Sequence, residues 1–63
     1  MSDLKARREA AGLTQRRLAE LCGVSQAAIS DLERGKTAYP SHRLVMAVEA
    51  ALLLRQVLAA AAP

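Results

Sequence analysis

An all-α fold is what the sequence predicts, and three observations predict it. Fourteen alanines and ten leucines stand beside only three glycines, two prolines and one aromatic residue, Tyr39. With few β-branched residues as well, that balance favours helices over strands. Gly12, Gly23 and Gly35 each follow a helix-like stretch, and Thr14, Ser25 and Ser41 stand just before the next one, so stop and start signals cut the chain into short helices. After Ser41 no glycine or proline appears until Pro63, which predicts a long last helix.

The elements follow in order. Ser2 is placed to cap a first helix over about residues 3–11, with Asp3 at its positive end and Gly12 stopping it. Leu4, Arg8 and Ala11 share one face of that helix at i, i+4, i+7 spacing. Thr14 caps a second helix, about Gln15 to Cys22, whose expected buried positions are Leu18, Ala19 and Leu21. Ala19 is small where two helices must cross closely. Gly23 ends this helix, Val24 turns the chain inward, and Ser25 caps a third helix, about Gln26 to Arg34, anchored by Ile29 and Leu32. Gly35 ends it, Lys36 to Pro40 form a loop, and Ser41 caps the last helix, expected to run unbroken over about residues 41–60.

Bulk properties narrow the function. A chain of 63 residues forms one small domain, residues 1–63, near the size at which a lone core is marginal. It either folds very compactly or gains stability from a partner. Cys22 and His42, each the sole residue of its kind, make neither a disulfide nor a metal site. Nor do they have a carboxylate pair around them, so there is no nucleophile–base arrangement and no cofactor loop. An enzyme, a cofactor and a small-molecule ligand are not expected. Nine Lys/Arg against six Asp/Glu give a net charge of +3 and a pI near 9.8, a balance that permits polyanion binding. The charged N-terminus has no apolar signal-peptide core, and Glu49 and Arg55 interrupt the apolar tail, so no membrane span is expected. A cytoplasmic location is the default.

The residues Gly12-Leu13-Thr14-Gln15, Leu18-Ala19, Gly23-Val24-Ser25, Ile29-Ser30 and Leu32-Glu33-Arg34-Gly35 have the types and spacings that two short helices joined by a tight turn require. Over roughly residues 3–48 the chain resembles the Cro and phage-repressor (lambda-repressor-like, xenobiotic-response-element type) helix-turn-helix family, which includes many bacterial autorepressors. The resemblance implies a compact domain of four or five helices, with the helix-turn-helix at about 14–35. Its second helix would lie in the major groove of double-stranded DNA.

By that resemblance Gln26, Ala27 and Asp31 sit where relatives touch base edges, and Ser30 shares their exposed side. The chemistry agrees. Glutamine pairs bidentately with adenine, a methyl side chain meets the thymine methyl, and aspartate accepts from cytosine. No arginine or lysine stands on this face before Arg34, so the commonest guanine contact is missing. Gln15 resembles a glutamine that bonds a phosphate and braces the first reader. Arg16 and Arg17 oppose the dipole of the second helix, a liability that a nearby phosphate would turn into a contact. Relatives often carry glutamate at the position of Arg17, which would complete a capping box with Thr14. Ser25, Arg34, Lys36, Thr37 and Arg43 are the remaining candidates for phosphate contact, positioning the protein without reading sequence. A solvated polar surface is the alternative for each of these groups. Arg8 and Glu33 are placed as a structural ion pair between the first and third helices, with a phosphate contact as the alternative for Arg8. Cys22 is expected to be a small buried residue and His42 a surface one. Tyr39 either packs the loop or donates to a phosphate.

The tail departs from the family. Relatives usually place a glycine just after the leucine matching Leu52, whereas Leu53 and Leu54 follow here. At about 100° per residue, Leu44, Val48, Ala51, Leu52 and Ala59 fall on one side of the last helix. Met46, Ala50, Leu53, Leu54 and Val57 fall roughly opposite. Only the stripe His42, Glu49, Gln56 is clearly polar. A helix apolar nearly all round is buried on two sides, so a second chain is expected to cover the second face, with a dimerisation tail at about 46–61. The sequence therefore predicts a homodimeric DNA-binding transcriptional regulator, bacterial or phage-encoded and nucleoid-associated when bound, that represses from a pseudo-palindromic operator. The alternative is an antitoxin-like or scaffold module that holds an unlike protein on the tail face.

Overall fold

The computed structural model describes residues 3–61 and consists of four helices: α1 Leu4–Ala10, α2 Gln15–Cys22, α3 Gln26–Arg34 and α4 His42–Ala61. The cap expected at Ser2 lies outside the described residues, and Asp3, at the N-cap of α1, makes no side-chain cap bond. The other three helices start on hydroxyl caps. Thr14 Oγ1 accepts from the Arg17 amide at 3.0 Å, Ser25 Oγ from Ala28 at 3.2 Å and Ser41 Oγ from Leu44 at 3.1 Å. Each bond satisfies an amide that has no partner inside its own helix.

The turn between α2 and α3 depends on Gly23, whose φ of 71° lies in the left-handed region that costs a side-chain-bearing residue dearly. Its amide donates to the Glu20 carbonyl at 3.2 Å while that of Val24 donates to Ala19 at 3.0 Å. This paired closure is a Schellman motif. Gly35 ends α3 in the same way, with the Lys36 amide on the Asp31 carbonyl at 2.9 Å. Both ends of the third helix are therefore fixed by local chemistry.

The core is Leu4, Leu13, Leu18, Ala19, Ile29, Leu32, Val48, Ala51 and Leu52, with Ala11, Cys22, Val24 and Leu44 packed around it. Leu4, Leu18, Ile29 and Val48 are completely buried, so every helix contributes an anchor. Helix α2 packs against both α3 and α4, and α1 packs against α3. Two polar ties attach α1 to α4. Arg7 Nη1 and Nη2 donate to Glu49 Oε1 and Oε2 at 2.8 and 2.6 Å, and Arg55 Nε donates to the Ala11 carbonyl at 3.2 Å. The second tie places a cation at the C-terminal end of α1, where the helix dipole favours it.

Three expectations about burial need correction. Leu21 is 44% exposed, because α2 turns Leu18 and Ala19 into the core and leaves Leu21 on its flank, beside Ala47, Ala50, Ala51 and Leu54 of α4. Ala59 is exposed, because the core ends at Leu52. Tyr39 is 94% exposed and does not pack the loop. The single long last helix, by contrast, runs unbroken through Leu53 and Leu54.

Charge count alone does not exclude α4 as a membrane span. The helix is long and apolar enough to cross a bilayer by length and composition, with a mean hydropathy of 1.8. Its packing argues otherwise. Val48, Ala51 and Leu52 form one wall of the core, and Glu49 and Arg55 are both bonded to the α1 segment. Moving α4 into lipid would strip that core and bury two charges without their partners.

Candidate nucleic-acid interface

The exposed side of α3 is built on a buried ion pair. Arg8, only 8% exposed, donates from Nε to Glu33 Oε2 at 2.5 Å, from Nη2 to Oε1 at 3.3 Å and from Nη1 to the Leu13 carbonyl at 2.8 Å. Glu33 then accepts from Gln15 Nε2 on Oε1 at 3.0 Å, and Gln15 Oε1 accepts from Gln26 Nε2 at 3.4 Å. Four side chains from α1, α2 and α3 thus form one hydrogen-bonded chain. It runs from the protein interior to an exposed glutamine on the first turn of α3.

The chain fixes charge states as well as positions. Burial pushes the Glu33 carboxyl up, but the hydrogen bonds from Arg8 and Gln15 outweigh it and hold the group below the usual carboxylate range. Glu33 is therefore ionised at neutral pH and balances the buried guanidinium. With its donors on Glu33 and the Leu13 carbonyl, Arg8 is not available to a phosphate. Glu49 is also held below its ordinary range, chiefly by the hydrogen bond from Arg7.

Around the end of this chain the structure places the other residues singled out by sequence. Gln26 and Ala27 are exposed at the start of α3, while Ser30 and Asp31 are half-buried one turn on. Gln15 is half-buried between Glu33 and Gln26. Arg16 and Arg17 are exposed in the first turn of α2, within 3.9 and 3.8 Å of Glu20. Exposed pairs at such distances contribute little, and they leave both guanidinium groups free to exchange partners. Ser25 spends its hydroxyl on the Ala28 cap. Arg34, Lys36, Thr37 and Arg43 are exposed, and among the described residues none of these three cations has an ion-pair partner. His42 is exposed beside Arg43, and Cys22 is half-buried against the core, where burial pushes its thiol up.

Sequence reasoning missed the Gln15–Glu33 bond, which converts a pair into a chain, and the Arg7–Glu49 pair. A signal for the latter was present: Glu49 is the only acid on α4, and a lone charge on an apolar helix needs a partner. Nothing in the spacing pointed to Arg55 on the Ala11 carbonyl.

A capped helix, a glycine turn and a second capped helix exposing polar side chains define the class: a helix-turn-helix protein. Residues 4–52 match the family model described as Helix-turn-helix. The chain belongs to this Cro/C1-type family of DNA-binding regulatory domains, which is not an enzyme family. No curated protein and no solved structure matches the chain.

Proposed function

We propose that this DNA-binding regulator acts as a homodimeric repressor or autorepressor on a pseudo-palindromic operator in the bacterial cytoplasm. Each copy sets α3 in a major groove, with Gln26, Ala27, Ser30 and Asp31 toward base edges. Gln15, Arg16, Arg17, Ser25, Arg34, Lys36, Thr37 and Arg43 lie along the sugar-phosphate backbone on either side. Met46, Ala50, Leu53, Leu54 and Val57 hold the two copies together. The observation that carries this reading is the Arg8–Glu33–Gln15–Gln26 chain. A surface glutamine braced from the interior loses little side-chain freedom on meeting a base, whereas an unbraced one has no reason to be tethered.

Two variants test it. Gln26→Ala should cost about 1–3 kcal/mol per half-site and relax preference at one base pair, with an A·T pair the expected one. Lys36→Ala should weaken all sequences alike and make the slope of log K against log[salt] shallower by roughly one for each phosphate no longer neutralised. Binding isotherms on operator and random DNA over a salt series separate the two. If Gln26→Ala weakens both DNAs by the same factor, that residue reads no base.

A further inference from the structure

The outward face of α4 has an asymmetry that specifies how a second copy would sit on it, an inference that rests on the homodimer reading above. Met46, Leu53, Leu54 and Val57 are 54–61% exposed, and with Ala47 and Ala50 they form one stripe along the helix. The stripe itself carries no charged side chain. Total accessible surface supports a missing partner. It is 4467 Å², whereas a compact monomer of 6.7 kDa has about 3,900 Å². The excess of roughly 550 Å² approaches the ~800 Å² that one side of an ordinary interface buries. The molecule is correspondingly long, 39 × 20 × 17 Å, because α4 continues past its own core.

Side-chain size along the stripe selects both the occupant and its direction. Toward the N-terminal end lie Ala47 and Ala50, which with Leu21 and Leu54 line a shallow groove. Toward the C-terminal end the side chains are large: Leu53, Leu54 and Val57. A two-fold interface must be self-complementary, and a stripe that is small at one end and large at the other complements itself only when reversed. We propose that two copies pair α4 on α4 antiparallel, about an axis near residues 51–53. Leu54 and Val57 of each copy fill the floor made by Ala47 and Ala50 of the other, and Met46 meets Val57 across the interface. A parallel pairing would set alanine on alanine and leucine on leucine, leaving a void at one end and a wedge at the other. Antiparallel helices also bring opposite dipole ends together.

Single-cysteine cross-linking tests the register in a Cys22→Ala background. Met46→Cys and Val57→Cys are prepared separately and mixed under mild oxidation. The mixture should form the 46–57 disulfide at least about tenfold faster than either variant cross-links to itself, because the bond requires Cα atoms within roughly 7 Å. As a second readout, Ala50→Leu should weaken the dimer and Leu54→Ala in the same chain should restore it. Self-cross-linking of either variant at a rate matching the mixture, or a dimer that forms no 46–57 bond, would overturn the antiparallel register while leaving the homodimer standing. A monomer in sedimentation equilibrium at micromolar concentration would overturn both.

Discussion

Glu33 is the residue on which both stability and recognition depend. Its side chain is 4% exposed against an Arg8 side chain that is 10% exposed, so neither charge has water to fall back on. Removing one partner leaves the other buried and unpaired, which is the costly case for an internal ion pair. Glu33→Gln should therefore destabilise the fold by about 1–3 kcal/mol at pH 7. The pH dependence has a definite sign. The folded-state value is depressed below the ordinary one, so the unfolded chain binds more protons in the window between the two, and stability rises with pH there. The contribution is complete well above the unfolded value of about 4.3 and is lost as pH falls through the lower folded value. Urea titrations of wild type and Glu33→Gln should converge under acid and separate toward neutrality. A double-mutant cycle with Arg8→Ala that shows no coupling would contradict the pairing. Because Gln15 hangs on the same carboxylate, the variant should also loosen Gln26.

Among the elements, the helix boundaries are legible in the sequence and the side-to-side contacts are not. Thr14, Ser25 and Ser41 cap the helices their positions predict, and Gly23 and Gly35 close helices with left-handed backbones. Local hydrogen bonding decides such positions, so residue type alone identifies them. The long α4 is legible for the same reason, since nothing after Leu52 stops it. Leu21 and Ala59 escape this reading because helical periodicity gives a direction but not how far a neighbouring helix reaches. The Arg7–Glu49 and Arg55–Ala11 bonds span 42 and 44 residues, distances at which sequence spacing carries no information. For the candidate site, the side chains are readable from type and position, whereas the hydrogen bonds joining them emerge only from the packing of α1, α2 and α3. The exposed half of α4 supplies the test at this scale. Each of Leu53, Leu54 and Val57 gains about 1.5–3 kcal/mol of gross hydrophobic free energy when covered, and in a two-fold interface one substitution acts twice. Leu54→Glu should shift the protein to monomer and lower its melting temperature. It should also weaken operator binding far more than binding to an isolated half-site. A Leu54→Glu dimer as tight as wild type in sedimentation equilibrium would place the interface elsewhere.

For the whole molecule, the core that α1, α2, α3 and α4 share ends at Leu52, while α4 continues for another nine described residues, all exposed. In the proposed dimer that projecting segment fixes the spacing of two recognition helices, and one DNA-binding unit becomes a symmetric reader of two half-sites. A net charge of +3 per chain draws each unit to the backbone without regard to sequence. Affinity then comes largely from phosphates, and specificity from the small polar surface of α3. Selection of bound fragments from random DNA by the full chain is the most direct test of a dimeric, base-reading protein. The expected result is enrichment of an inverted repeat whose half-sites lie about one helical turn apart, roughly 34 Å or 10 base pairs, or a multiple of it. Gln26→Ala should lose the preference at a single symmetric pair of positions in that motif. Recovery of no enriched motif, or of a single asymmetric site bound equally well by Leu54→Glu, would contradict it.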